Sequence, residues 1–313
     1  MALDKTTQHP PVDAASLRVA LVGYGEVGSI FAAALAKAGV KAVSAFDVLV
    51  TDDAWAATAR ARATRDSVVL EPSLEAATSQ ATLVICAVTA AQARRAASEI
   101  AAVIPRGAFM LDMNSASPGT KTACADVVNA AGAQYVEAAV MASVPPHGLG
   151  VPMLLGGPHA QALQPALAAL GFDAPVGSPT YGVVSAIKLC RSVFVKGLEA
   201  IAVESLLAAR HYGVEDAVLA SLAETYPGIA WDKQSDWYWR RVVQHGRRRA
   251  EEMREAAAMV DDAGHPPQMA PASADVQAWM ASLRAGGTFD GLAKEAGWRE
   301  FADRILAKGA RGR

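Results

Sequence analysis

Cysteine is scarce and scattered. The chain has 3 in 313 residues, Cys86, Cys124 and Cys190. They form no C-x-x-C pair and no metal-binding spacing with histidine. That excludes a disulfide scaffold and leaves no metal to expect; it points to reduced, mostly buried thiols in the cytoplasm. There is no Gly-x-Ser-x-Gly elbow, no P-loop and no His-x-x-x-His pair. No run of about 18 uninterrupted apolar residues occurs, so no membrane helix is expected. The mean hydropathy of +0.19 reflects abundant alanine instead. Neither sign of charge dominates. A net charge of −2 and a pI near 6.3 give no general attraction to nucleic acid or to an anionic membrane. The first residues carry Asp4, Lys5, His9 and two prolines without an apolar core, so no signal peptide is expected. Residues 1–16 are expected to form a disordered lead-in.

What is present is ample apolar material, 52% of residues against 19% charged, in a chain long enough for two domains. The most informative stretch is Val19-Ala20-Leu21-Val22-Gly23-Tyr24-Gly25-Glu26-Val27-Gly28. A buried strand runs into Gly-x-Gly-x-x-Gly, an alanine-rich helix follows over residues 29–38, and a second strand over 42–46 ends on Asp47. This is the βαβ pattern of a dinucleotide site. Gly23 permits the tight turn, Gly25 lets a pyrophosphate approach the backbone, and Gly28 lets helix and strand pack closely. The free N–H groups of the helix start face the phosphates. Tyr24, Glu26 and Val27 complete the cofactor loop. Asp47 stands where a carboxylate accepts from the adenosine ribose hydroxyls, which favours NAD, with NADP as the alternative.

Strands and helices go on alternating. Apolar strands are expected over 67–70, 82–88, 109–113, 134–139, 152–156 and 173–176, and helices over 74–78, 90–104 and 121–131. That alternation predicts a mostly parallel sheet covered on both faces. Near Gly177 the pattern changes. Residues 183–212 are apolar at helical spacing, which predicts one helix about 45 Å long. Further helices are expected over 215–224, 237–262, 273–285 and 289–306. The fold class is therefore α/β: a Rossmann-type dinucleotide-binding domain over 17–177, then an all-helical substrate and dimerisation domain over 178–313, with a long helix between them. So long an apolar helix implies a second subunit packed on it, hence a homodimer or higher even oligomer.

Three motifs, in order, resemble the β-hydroxyacid dehydrogenase superfamily. The likeness is nearest to a branch of phosphogluconate-dehydrogenase-like oxidoreductases with a C-terminal domain formerly of unknown function. The first motif is the nucleotide fingerprint. The second is Asp112-Met113-Asn114-Ser115-Ala116-Ser117-Pro118-Gly119-Thr120-Lys121, similar to that family's substrate loop. The third is Gly182-Val183-Val184-Ser185-Ala186-Ile187-Lys188, similar to the approach to its catalytic lysine. The resemblance implies Lys188 as general acid/base, with Asn114, Ser115, Ser117 and Ser192 at the substrate. It also implies Val88 and Thr89 beside the nicotinamide ribose. His147 and His245 are further candidates for substrate contact.

The departures fall on groups that recognise substrate. Ser192 stands where the family has asparagine. Ala142-Ser143-Val144-Pro145-Pro146-His147-Gly148 replaces a Ser-Gly-Gly segment. Glu251-Glu252, preceded by Arg247, Arg248 and Arg249, replaces a Lys-Asp pair. The implied activity is NAD(P)-dependent hydride transfer on a small, acidic alcohol or carbonyl. Imine reduction uses the same fold, and Lys188 argues against it. A non-catalytic nucleotide-binding protein is the third reading. Trp231, Trp237, Tyr238 and Trp239, among arginines, read as helix-packing residues with one or two lining a cleft. The arginines read as a solvated helix face.

Overall fold

A computed structural model of the chain describes residues 14–310. The expected lead-in therefore lies mostly outside the described residues; its last part, Ala14–Ser16, forms a single 3₁₀ turn. The chain divides into two units, at Lys188 and Leu189.

Among the described residues the first unit is built on eight strands: β1 (Arg18–Val22), β2 (Ala42–Phe46), β3 (Val69–Leu70), β4 (Leu83–Cys86), β5 (Phe109–Asp112), β6 (Gln134–Val140), β7 (Met153–Gly156) and β8 (Val176–Ser178). They form one sheet in the order β3-β2-β1-β4-β5-β6-β7-β8. Every pairing is parallel except that of β6 with β7. Successive strand residues point to opposite faces, and both faces are covered. Val19, Leu21, Leu83, Ile85 and Leu111 belong to one core layer. Ala20, Val22, Val84, Cys86 and Met110 belong to the other. That double burial is why these strands read as continuous apolar runs.

Helices α1 (Glu26–Lys37), α2 (Asp53–Arg65), α3 (Leu74–Thr78), α4 (Ala93–Val103), α5 (Pro118–Ala130) and α6 (Ala160–Ala169) connect the strands. Two of these were not expected. Helix α2 buries only Ala56, Ala59 and Ala63, so its apolar stripe is too thin to show as a period. Helix α6 carries Pro165 in its interior, which reads as a breaker.

The long helix α7 (Val183–Tyr212) has the expected bounds. The second unit contains most of it, with α8 (Glu215–Thr225), α9 (Trp231–Asp262), α10 (Met269–Ala285) and α11 (Trp298–Ala310). Its core gathers Val203, Leu206, Trp239, Val242, Met280, Phe301 and Trp298, with Trp239 and Trp298 ring centroids 6.1 Å apart. Residues 289–297, expected as helix, form turns. Gly291 has φ +78, and α11 starts only where Asp236 Oδ1 accepts from Trp298 N–H at 2.7 Å.

Candidate active site

The sheet order reverses between β1 and β4, and the crevice at such a switch point is where doubly wound folds bind ligands. The turns after these two strands touch. Gly23 has φ +94, and a Cβ there would lie 2.5 Å from the Ala87 carbonyl oxygen and 3.1 Å from Val88 Cγ1. A Cβ on Gly28 would lie 1.9 Å from the Gly23 oxygen. Glycine is required at both positions for close packing. Gly25 opens α1, and no side chain among the described residues caps that helix start, so its first N–H groups remain available to an anion. Glu26 and Gly25 are exposed there, and Val27 is half-buried.

Asp47 ties the loop to β2. Its Oδ2 accepts from Tyr24 N–H at 2.8 Å and its Oδ1 from Leu49 N–H at 3.0 Å. Each oxygen keeps a second lone pair. The Tyr24 side chain is fully buried in the core. Burial, and then the Asp66 charge, push its phenol pKa up. Only the Tyr24 backbone is thus offered to a cofactor. An uncapped helix start, two glycines with no room for a side chain and a carboxylate at the end of β2 together fit a dinucleotide.

The loop after β5 is organised by a buried network. Asp112 Oδ2 accepts from Tyr135 OH at 2.6 Å and pairs with Lys121 Nζ at 3.1 Å, while its Oδ1 accepts from Asn114 N–H at 2.9 Å. Lys121 also donates to the Asp112 carbonyl at 3.1 Å. Asn114 Oδ1 in turn accepts from Val88 N–H at 2.7 Å, and its Nδ2 donates to Cys86 Sγ at 3.3 Å. Asn114, expected at the substrate, therefore turns its amide to the end of β4 and holds Val88 in place. Burial, then the Asp112 charge, push the Cys86 thiol up to about 12. Thr89 is exposed just beyond. Asp112 and Lys121 stand inside the motif that suggested the site. Their pairing was missed because a lysine early in a helix ordinarily reads as solvated.

Ser117 is the N-cap of α5, accepting from Thr120 N–H at 3.3 Å. Pro118 follows at the first helical position. Ser115 Oγ is enclosed and has no hydrogen-bond partner among the described residues. The same loop meets the start of α7. Gly182 has φ +85, and a Cβ there would lie 2.9 Å from Pro118 Cβ. Glu137 of β6, fully buried, accepts from Gly182 N–H at 2.7 Å and from Ser185 N–H at 3.2 Å. It thus neutralises the positive end of the α7 dipole. Lys188, half-buried, follows one turn on.

So the first unit joins Gly23, Gly28, Asp47, Val88 and Asn114 in one set of contacts, and the Ser117-Pro118 turn with Gly182 in another. His147 is exposed, before a 3₁₀ turn (Gly148–Gly150) that packs on α1. Ser192 and His245 belong to the second unit. There Ser192 Oγ accepts from Lys196 Nζ at 3.1 Å.

Residues 18–177 match the family model for the NAD-binding domain of 6-phosphogluconate dehydrogenase. The chain belongs to this family. Residues 209–280 match the model of a domain of unknown function. The cofactor of this 6-phosphogluconate-dehydrogenase-like chain is NAD(P), and its class is oxidoreductase. A conserved hypothetical protein from Sinorhizobium meliloti is 32% identical, with 93% of this chain and 96% of that one covered and a TM-score of 0.72. A conserved protein of unknown function, described as structurally similar to 3-hydroxyacid dehydrogenases, is 28% identical over 87% of this chain and 99% of its own, with a TM-score of 0.65. The 3-hydroxyisobutyrate dehydrogenase of Mycobacterium tuberculosis, solved with L-serine, shares the fold at 17% identity, covering 93% and 99%, with a TM-score of 0.68. No curated protein matches the chain. No helix among the described residues is long and apolar enough to cross a membrane.

Proposed function

We propose that this family member interconverts an alcohol and a carbonyl on a small, acidic, hydroxy-acid-type metabolite, with Lys188 as general acid/base. The observation that carries this reading is the clamp on α7. Glu137 holds Gly182 and Ser185 by their N–H groups, and Gly182 is pressed on Pro118 of the substrate loop. Lys188 thereby rides on a fixed helix start beside that loop. When bound, NAD(P) supplies or accepts the hydride. Gly23, Gly25, Gly28 and the α1 N–H groups would hold its phosphates, Asp47 its ribose, and the Val88-Thr89 turn its nicotinamide end. Lys188 takes the hydroxyl proton in oxidation and returns one in reduction. Ser115, Ser117 and the neighbouring backbone orient the substrate. Ser192 and His147 are further substrate contacts in this reading.

NAD is the preferred form. A carboxylate at Asp47 repels a 2′-phosphate. Of the three arginines that follow, Arg60, Arg62 and Arg65, two are otherwise engaged: Arg62 donates to Ser29 Oγ at 3.1 Å and Arg65 pairs with Asp66 at 2.8 Å. The working unit is a homodimer or an even multiple of it. Val183, Ile187, Phe194, Ile201 and Tyr212 are all exposed on α7. At 3.6 residues per turn they fall within roughly 40° of one another, a single apolar stripe. A second copy of the chain would cover it. We place the protein in the cytoplasm, where the buried thiols of Cys86 and Cys124 would stay reduced.

The test is a panel of hydroxy acids, amino-hydroxy acids and phosphorylated polyols, followed by NADH and NADPH absorbance. Turnover of cyclic imines but of no alcohol would favour imine reduction. Turnover of neither class would favour a non-catalytic nucleotide-binding protein.

A further inference from the structure

The tryptophan- and arginine-rich part of α9 carries an unusual charge cluster inside the second unit, joined to Ser192 only through Lys196, which donates to its Oγ at 3.1 Å. Glu199 of α7 is fully buried. It pairs with Arg249, with Arg241 at 3.3 Å, and accepts from Gln277 Nε2 at 3.4 Å. One turn back along α7, Lys196 pairs with Glu252 at 2.8 Å, and Glu252 also pairs with Arg248. In these contacts four cations share two carboxylates, so the cluster carries a positive excess.

Its hydrogen bonding is also incomplete. Arg249 is 2% exposed, and its Nε donor has no partner among the described residues. Buried groups of this kind are normally satisfied. Two of its cations reach solvent. The Arg241 side chain is 26% exposed and that of Arg248 54%. Arg241 is also held in place, its guanidinium 4.5 Å above the Trp237 ring. A fixed, partly exposed guanidinium, linked through Glu199 to a second buried one, suits an oxyanion.

We propose that this cluster is an anion-binding site of the second unit, entered at Arg241 and Arg248, which takes a carboxylate or phosphoryl group of a small molecule. The titration of its cations agrees. Burial, then the neighbouring Arg248, lower the pKa of Arg241. Burial lowers that of Arg249 to about 10. Burial also lowers that of Lys196, with Glu252 opposing and Arg249 and Arg248 adding to the fall. An anion at the mouth relieves all three. It also gives the aromatic residue beside Arg241 a purpose that packing alone does not.

The experiment is isothermal titration of the full chain with inorganic phosphate and, separately, with malonate, each against chloride at matched ionic strength. The proteins are wild type, Arg241→Gln and Arg248→Gln. Saturable binding to wild type, weakened about tenfold or more in both variants, is the expected result. Tighter binding of phosphate assigns a phosphoryl ligand, and tighter binding of malonate a carboxylate. Titration with NAD(P) on the same samples reports the first unit separately. It succeeds or fails independently of the anion, and the near-ultraviolet circular dichroism of the packed Trp239 and Trp298 rings shows whether the second unit of each variant is folded. Arg248 is mostly exposed, so its variant keeps the test open if Arg241→Gln does not fold. No binding beyond that of chloride, or wild-type affinity in a folded variant of both positions, overturns the proposal.

Discussion

Glu137 and Gly182 are far apart in sequence, yet the carboxylate of one accepts the backbone N–H of the other at 2.7 Å, with both residues buried. The bond fixes where α7 begins. It removes an orphan helix donor and sets a negative charge against the helix dipole. Glu137→Ala should cost roughly 1.5–3 kcal/mol, the worth of hydrogen bonds to a charged acceptor, and Glu137→Gln should cost less. Denaturant melts read both. Equal and negligible losses would show that the start of α7 is held by packing alone.

Lys188→Met keeps much of the side chain's length and removes the titrating group. In this reading kcat falls by roughly 10²–10⁴, the usual contribution of a general acid/base. Affinity for NAD(P) changes little, and the pH–rate profile loses one ionisation. Near wild-type kcat with a confirmed substrate would place the proton transfer elsewhere.

Asp47→Ala should weaken NAD about tenfold or more, because it removes a charged acceptor and frees Tyr24 N–H and Leu49 N–H. Wild type should turn over NADH faster than NADPH. A preference for NADPH of about tenfold would reverse the assignment.

A charge in the exposed stripe of α7 should separate the subunits. Phe194 is 70% exposed, so Phe194→Glu should not disturb the core of a single chain. Sedimentation should give a dimer or an even multiple for wild type and a smaller species for the variant. A stable, active wild-type monomer near 32.5 kDa would rule out the assembly.

Two carboxylates give the second unit an acid-sensitive component. Arg299 holds Asp232 below its ordinary range, and Arg210 does the same for Asp303. The unfolded chain binds these protons at higher pH than the folded one. The stabilisation is therefore present above the ordinary carboxylate pKa of about 4 and is lost as pH falls through the lower folded values. Both groups are more than half exposed, so the effect is small. The double variant Asp232→Asn, Asp303→Asn should melt slightly below wild type near neutral pH and together with it in strong acid. A gap that widens on acidification would contradict this sign.

The sheet and α7 were legible because each rests on a long-range pattern: strands buried on both faces read as apolar runs, and thirty residues of α7 repeat one helical period. Helix α2 was not, since three buried alanines make no visible period. Site residues divide in the same way. Glycines and Asp47 follow from backbone requirements written into a local motif. The partner of a side chain does not. Nothing in the sequence says that the Asn114 amide reaches Val88, that Lys121 answers Asp112, or that Ser192 meets Lys196. Those pairings depend on the register of strands and helices that only the folded chain defines.

Enclosure of Cys86 offers a gauge of local opening. Its thiol is fully buried at the end of β4, is bonded by Asn114, and stays protonated far above neutral pH. An alkylating reagent that needs thiolate leaves Cys86 and Cys124, both buried, untouched while the native state lasts. The slow appearance of label on Cys86 would therefore time excursions of the strand ends beside the dinucleotide loop. A bound dinucleotide would lengthen that interval by as much as it stabilises the closed sheet.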